Sequence, residues 1–139
     1  MRWFPDDMPA PAADHDSLPF WEAAAEHRLV LQRCAACGRF RHPPGPVCPR
    51  CHSTAQEWPE VPGRGVVYSF TVVARAPMPT LRAHVPYVVA AIELDGVPDA
   101  RLVSALVEVP PEDVCVGMRV ELVWEDRAPD LAVPLFRPA

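Results

Sequence analysis

The sequence lacks lysine, long apolar runs and recognisable catalytic motifs. No apolar stretch approaches the ~20 residues that a membrane-spanning helix needs, so we expect no membrane segment. The first eleven residues are rich in prolines and acids and do not resemble a secretory signal, so we expect a cytoplasmic protein. Because no GxSxG elbow, glycine-rich phosphate loop or HExxH pair is present, the sequence indicates no active site.

Prolines, by contrast, are abundant, with 19 among 139 residues. They fall between the apolar runs, and β-branched residues lie inside those runs. Because proline cannot donate to a sheet ladder, this distribution predicts short strands joined by rigid loops. We therefore expect a mostly β protein.

The N-terminal segment, residues 1–16, is rich in proline and acids and has no periodic pattern. It predicts a flexible arm. The arm carries two aromatic residues, Trp3 and Phe4, which either fold back on the domain or dock on another protein.

A short helix and a strand are predicted after the arm. Asp16 and Ser17 offer N-cap oxygens, and the following residues favour a helix through about His27. The apolar run at 29–31 predicts a strand that leads into Cys34.

The rest of the chain predicts a small barrel. After two glycines, apolar runs separated by turn residues follow at 65–76, 87–94, 102–109, 118–124 and 131–136. Five such strands suit an oligonucleotide/oligosaccharide-binding (OB) barrel with Greek-key connections. We divide the chain into a flexible arm (1–16), a helix plus zinc ribbon (17–62) and an OB-fold domain (63–139).

Four cysteines have the spacing of a metal site. Cys34 and Cys37 form one CxxC pair, and Cys48 and Cys51 form a second pair after ten residues. Two residues between thiolates let one tight turn present both sulfurs to a shared ion. Because four sulfurs leave no position for water, the pattern predicts a structural zinc ion that does no chemistry.

Three alternatives to this zinc site remain. The cysteines could form disulfides, or bind iron as in rubredoxin. His42 or His52 could also replace one cysteine, since both lie nearby. The fifth thiol, Cys115, lies between two valines, and we expect a small core residue there rather than a nucleophile.

Charge is unevenly distributed. The net charge is −5, which disfavours nonspecific binding to polyanions, but the segment from Arg28 to Arg64 holds six arginines against two glutamates. This basic segment is the cysteine segment. Arg75, Arg82 and His84 belong to a long loop of the barrel and are read as solvated surface, with ligand contact as the alternative.

The order of these parts resembles one known family. It comprises the helix PFWEAA, the strand LVLQRC, the ribbon CAACGRFRHPPGPVCPRC, the link GRGVVYSFTVV and the strands PYVVAAIEL and GMRVELVWE. Over about residues 17–138 the chain resembles the acyl-CoA-associated zinc-ribbon/OB-fold family, long catalogued as a domain of unknown function. One departure is Ala105, where relatives often carry asparagine.

The resemblance implies a rubredoxin-like ribbon on an OB barrel and an accessory role. Members of that family occur beside thiolases, thiolase-like aldolases and MaoC-like hydratases, including those of actinobacterial steroid side-chain degradation. The resemblance thus implies a hetero-oligomer in which the partner catalyses and this chain supplies docking surface and acyl-CoA contacts.

Our first hypothesis is therefore a non-catalytic subunit that docks on a thiolase-like enzyme of steroid or fatty acyl-CoA catabolism and activates or stabilises it. The partner-binding candidates are Phe20, Trp21, Trp3 and Phe4, and the candidates for contacts to CoA phosphates are Arg39, Arg41, Arg75 and Arg82. The alternative is an OB-fold nucleic-acid-binding protein, which an acidic barrel disfavours. A third interpretation is an independent CoA-ester enzyme that uses Cys115.

Overall fold

The computed structural model describes residues 2–139 and contains one α-helix, two short 3₁₀ helices (Pro79–Leu81 and Pro111–Asp113), a small sheet and a barrel. The helix is α1 (Leu18–Ala25), and the small sheet contains β1 (Gln32–Cys34), β2 (Phe40–Arg41) and β3 (Gln56–Glu57). The barrel strands are β4 (Arg64–Val73), β5 (Tyr87–Leu94), β6 (Leu102–Leu106), β7 (Arg119–Ala128) and β8 (Leu131–Pro138).

Helix α1 is shorter than predicted and begins differently. The Ser17 hydroxyl makes no capping bond to the helix; it accepts from the Asp14 amide at 3.0 Å, and the Ser17 amide donates to the Asp14 carboxylate at 2.7 Å. Hydrogen bonding with the Ser17 side chain, followed by that with the Ser17 amide, lowers the pKa of Asp14. The helix ends at Ala25 rather than at about His27, because His27 adopts the left-handed conformation with φ 57°.

His27 fastens the end of α1 to the barrel. Its ring stacks on Trp124 of β7, with 5.5 Å between ring centroids, and its Nε2 lies 2.6 Å from an Asp126 carboxylate oxygen. Phe20, on the inner face of the helix, is 5% exposed and joins the core.

The small sheet has the strand order β2-β1-β3, and both pairings are antiparallel. The predicted strand at 29–31 begins three residues later, at Gln32. The apolar run is nevertheless extended and buried, since Leu31 donates to the Pro59 carbonyl and Val61 donates to the Leu29 carbonyl. It thus enters the core beneath the ribbon.

The five predicted barrel strands are all present, and the barrel is closed in the order β4-β5-β6-β8-β7. All neighbours are antiparallel except β6 and β8, which are parallel where Leu106 pairs with Phe136. This Greek-key order confirms the predicted OB fold. Gly65 permits the close approach of β4 to β5, because a Cβ there would lie 2.2 Å from the Glu93 carbonyl oxygen.

Buried and half-buried residues alternate along β5, and the buried ones fill the interior of the barrel. Val88, Ala90, Ile92 and Leu94 are each at most 2% exposed, and the residues between them are half-buried. Side chains of a strand point alternately inward and outward, so one set fills the interior. Phe136 of β8 is fully buried in the same core.

The expectation that Cys115 is a small core residue is wrong. It is exposed, whereas the preceding Val114 is buried. The reason is that β7 begins only at Arg119, so Cys115 belongs to the loop and not to the alternating pattern of a strand. No helix within residues 2–139 is long and apolar enough to cross a membrane.

Candidate metal centre and interaction surface

The first cysteine turn begins at the end of β1. The Gly38 amide donates to the Cys34 carbonyl at 2.9 Å, and the Cys34 amide donates to the Arg39 carbonyl at 2.8 Å. Gly38 has φ 79°, which lets the chain reverse directly after Cys37. The turn thereby directs both sulfurs to one side.

The second turn repeats this geometry. The His52 amide donates to the Cys48 carbonyl at 2.9 Å, and the Cys48 amide donates to the Ser53 carbonyl at 2.9 Å. His52, which follows Cys51, has φ 63°. The two turns are therefore structural equivalents.

The four sulfurs fit a tetrahedral metal ion. All four lie within 4.8 Å of one another, and two of the distances, Cys34 to Cys51 and Cys37 to Cys48, are 3.6 Å. Zn–S bonds of 2.3 Å give a tetrahedron whose edge is about 3.8 Å. A disulfide needs about 2.05 Å between sulfurs, so these cysteines are not paired as disulfides.

Backbone amides favour the thiolate form that binds metal. The amide of Cys37 is the main cause that lowers the pKa of Cys34 to about 6, and the amide of Cys51 is the main cause that lowers the pKa of Cys48. The cluster contains no histidine, and the His42 ring instead lies 5.3 Å from the Phe20 ring. The residues present thus fit a closed S₄ site, in which a zinc ion supplies cross-linking and no open coordination position.

The four arginines predicted to contact CoA phosphates have different surroundings. Arg41 is 8% exposed, and its Nε and Nη2 donate to the Gly45 carbonyl at 3.2 and 3.0 Å, so it braces the ribbon loop. Arg39 is half-buried, while Arg75 and Arg82 are exposed. The four predicted phosphate ligands therefore differ in how accessible they are to a ligand.

The predicted docking aromatics also differ in position. Phe20 belongs to the core and offers no surface to a partner, because α1 packs that face on the barrel. Trp21 is partly buried, with its ring edge-to-face against Phe20 at 5.0 Å. Trp3 and Phe4 are half-buried in the N-terminal arm.

The arm folds back on the barrel through a buried ion pair that the sequence did not predict. The amides of Trp3 and Phe4 donate to Glu125, and Arg127 donates to the carbonyl of Pro5 at 2.8 Å. Glu125 and Arg127 lie 3.3 Å apart, with side chains 3% and 8% exposed. The local sequence does not distinguish Glu125 and Arg127 from the exposed charged residues beside them, because their burial depends on the distant arm.

The arm, α1 and the ribbon loop enclose a cavity of about 520 Å³ against the barrel. Its walls are mostly apolar, and its floor includes Val89 of β5 and Val103 and Ala105 of β6. OB folds bind oligomers on the face formed by their second and third strands, which here are β5 and β6. In this chain the arm and α1 cover part of that face, and Val103 remains 65% exposed.

Family models match both parts of the molecule. The model described as "ChsH2, rubredoxin-like zinc ribbon domain" matches residues 21–57, and "ChsH2, C-terminal OB-fold domain" matches residues 58–125. A DUF35 domain-containing scaffold protein of Methanocaldococcus jannaschii is 39% identical over 97 residues, which are 69% of this chain and 67% of that protein. The chain belongs to the DUF35 family. In this DUF35 chain the four-cysteine cluster is the zinc site of the ribbon.

Other relatives of the DUF35 chain are named as enzyme subunits. A probable enoyl-CoA hydratase alpha subunit of Thermomonospora curvata is 46% identical over 94% of this chain. A 3-oxo-4,17-pregnadiene-20-carboxyl-CoA hydratase alpha subunit of Mycobacterium tuberculosis is 35% identical over 96% of it. The chain spans only 40% and 41% of the length of these two relatives.

A solved structure is also similar to the DUF35 chain. One chain of the structure described as "Ltp2-ChsH2(DUF35) aldolase" matches with a TM-score of 0.81 and 45% identity. The match covers 92% of this chain and 98% of that one. The likeness therefore extends over most of the chain.

Proposed function

We propose that this chain is a non-catalytic accessory subunit that docks on a thiolase-like enzyme acting on acyl-CoA, and stabilises or activates it. The observation that carries the proposal is the likeness to a chain of the Ltp2-ChsH2(DUF35) aldolase over 98% of that chain. The names of the hydratase alpha subunits support acyl-CoA chemistry of the fatty or steroid class.

The chemistry of the chain agrees with an accessory role. Four thiolates close the coordination sphere of the zinc, so the metal has no position at which to activate water or a thioester carbonyl. The free thiol Cys115 is exposed in a loop. In our proposal the partner enzyme supplies the catalytic groups, and the acyl-CoA site lies on that partner or at its boundary with this chain. A reducing cytoplasm suits the four unpaired thiolates.

We place the docking surface on the outer face of α1 and the arm beside it. Leu18 is 45% exposed there, and Leu18 and Trp21 line an open groove between the helix and β8. Exposed apolar side chains around a partly buried tryptophan are typical of the centre of a protein interface. Trp3 and Phe4 remain partner-binding candidates on the arm, where both are half-buried.

The experiment is co-expression of the chain with a thiolase-like enzyme encoded beside its gene, followed by co-purification. We expect a stable complex, and we expect Leu18→Glu to reduce recovery of the complex at least tenfold because it places a charge in the interface. Val116→Glu is the matched control, since Val116 is 66% exposed outside this surface. A partner that is equally soluble and active without the chain would refute the proposal.

Arginine contacts to CoA phosphates are a separate part of the proposal. Arg39, Arg75 and Arg82 keep solvent-accessible guanidinium groups, whereas Arg41 is engaged with Gly45. We expect Arg39→Ala to raise the KM of the complex for acyl-CoA with little change in kcat, because a phosphate contact acts equally on ground and transition states. An unchanged KM removes Arg39 from the site.

The partly covered barrel face weighs against nucleic-acid binding. An OB fold that binds single strands needs a basic, accessible groove, but here the arm lies over part of β5 and β6 and the chain is acidic. A gel-shift assay with single-stranded DNA at low salt tests this alternative. We expect no shift.

A further inference from the structure

The cavity between the arm and the barrel has the size and shape of a small-molecule site. At about 520 Å³ it falls within the ~300–1,000 Å³ that ligand pockets typically occupy. It lies where the arm, the ribbon loop and the barrel meet, and such junctions are frequent positions for ligand sites.

The walls of the cavity are mostly apolar. Apolar and aromatic side chains come from each contributing segment, including Phe4 of the arm, Trp21 of α1, Tyr87 of β5 and Val133 of β8. A ligand that fills this space exchanges water for apolar contacts at about 25 cal/mol per Å² of buried apolar surface. The walls therefore select an apolar body.

Most polar groups around the cavity already have partners. The Ser104 hydroxyl donates to the Pro134 carbonyl at 2.6 Å, and Glu125 is neutralised by Arg127 and accepts from the arm amides. A charged ligand would find no free counter-ion among them, so its desolvation would be uncompensated. The lining therefore selects a neutral ligand.

His42, like Trp21 and Tyr87, lines the cavity with a polar group that makes no hydrogen bond among residues 2–139. Burial lowers the pKa of its imidazole, and no hydrogen bond from residues 2–139 contributes to that shift. The ring lines the cavity and is held by its contact with Phe20. A neutral imidazole offers one donor and one acceptor, and both are suited to a carbonyl or hydroxyl oxygen.

We propose that this cavity binds a neutral alicyclic or aliphatic molecule that carries a single hydrogen-bonding oxygen, with the oxygen at His42 and the apolar body over Val89 and Ala105. Phe4, Met8, Pro9 and Pro11 of the arm form one wall of this site. The ligand is either a free lipid-like ketone or alcohol, or the acyl group of a thioester. A free molecule would go beyond the proposed function, whereas an acyl group would deepen it and so rests on it; in both cases the site lies within one chain.

The test uses the full, zinc-loaded chain labelled with nitrogen-15. Cyclododecanone and 1-decanol are titrated separately while amide chemical shifts are recorded. We expect saturable shifts confined to residues that line the cavity. Decanoyl-CoA and CoA alone form the second arm: shifts with the thioester but not with CoA assign the acyl group as a ligand, and shifts with the ketone or alcohol assign the free molecule.

Two variants locate the binding. Ala105→Phe fills the cavity from β6 and is expected to weaken binding of cyclododecanone more than tenfold. Ala91→Phe is the matched control: Ala91 pairs with Val103 on the same outer face of the sheet but lies outside the cavity. His42→Phe keeps the packing against Phe20 and removes the ring nitrogens, so it is expected to weaken binding of the ketone about fivefold.

Absence of saturable shifts with all of cyclododecanone, 1-decanol and decanoyl-CoA overturns the proposal. So does equal weakening by Ala91→Phe and Ala105→Phe, because the probe would then bind the exposed sheet surface. The spectra themselves report whether each variant is folded, and Val103→Phe, which also lies in the floor of the cavity, replaces Ala105→Phe if that variant unfolds. No partner enzyme is present, so a negative result leaves the co-purification experiment unaffected.

Discussion

Gly38 and His52 occupy the same position in the two metal-binding turns, directly after the second cysteine of each pair. Both have left-handed backbone, with φ 79° and 63°, and each donates its amide to the carbonyl of the first cysteine in its turn. The first turn thus uses a glycine, which adopts the left-handed conformation freely. The second turn uses a histidine, for which that conformation is unfavourable.

This relationship predicts opposite effects of two substitutions. Gly38→Ala should lower the free energy of unfolding by about 1 kcal/mol, because the left-handed conformation disfavours a Cβ. Nothing lies within 4 Å of that Cβ, so the loss reflects the backbone alone. His52→Gly should raise the free energy of unfolding by up to about 1 kcal/mol. Denaturant unfolding of the zinc form measures both.

Gly45→Ala is the control for these variants. Gly45 also has no atom within 4 Å of a built Cβ, but its φ is outside the left-handed region. We expect a change within about 0.5 kcal/mol. If Gly45→Ala and Gly38→Ala cost the same, backbone strain is not the cause.

Metal content should depend on the four clustered cysteines and not on the fifth. We expect one zinc per chain, and we expect Cys34→Ala to abolish stoichiometric binding and unfold the ribbon, because a structural zinc contributes folding free energy directly. Cys115→Ala should retain one zinc, since its thiol is exposed and outside the cluster. Elemental analysis of the purified proteins checks both. Iron in place of zinc would contradict the metal assignment.

Removing the buried carboxylate beneath the arm should be costly. Glu125→Ala leaves the Arg127 guanidinium buried without its counter-ion and two arm amides without an acceptor. We expect a loss of about 3 kcal/mol in the free energy of unfolding and faster proteolysis of the arm. Glu121→Ala on the same strand breaks a more exposed pair with Arg137 and should cost below about 1 kcal/mol. Equal losses would show that burial does not decide the effect.

Low pH should remove the contribution that one surface ion pair makes to the stability of the fold. Hydrogen bonds from Arg119 lower the pKa of Asp95 below 3.8 in the folded chain. The ionised carboxylate therefore stabilises the fold above the unfolded pKa, and this contribution is lost as pH falls through the folded value. Asp95→Asn should lower Tm slightly near neutral pH, and its difference from the unsubstituted chain should shrink below about pH 4. Asp99→Asn, which removes another exposed acid, is the control for the loss of one surface charge.

Local patterns were sufficient for the zinc cluster and the barrel. The paired CxxC spacing fixed which four sulfurs converge, because each pair lies within one turn and the geometry of a turn is local. Apolar runs separated by turn residues located the five strands, because strands and the turns that bound them both depend on short segments of sequence. The run at 29–31 was read as a strand because apolar runs do not reveal the point at which pairing begins.

The exposure of individual side chains, by contrast, depends on contacts between segments that are distant in sequence. Arg41, Phe20 and Cys115 were assigned from their neighbours in sequence, but their exposure is decided by residues far along the chain. Glu125 becomes a buried anchor only because the arm returns across 122 residues to reach it.

By itself the sequence determined the metal ligands, the order of the strands and the OB class of the barrel, because cysteine spacing and apolar runs bounded by turn residues are properties of short segments. Only the tertiary structure decided that the arm and α1 cover part of the binding face of the barrel and enclose a cavity there. The physical reason is that burial of a charge, a cysteine or a pocket depends on contacts between distant segments, and local pattern does not contain those contacts.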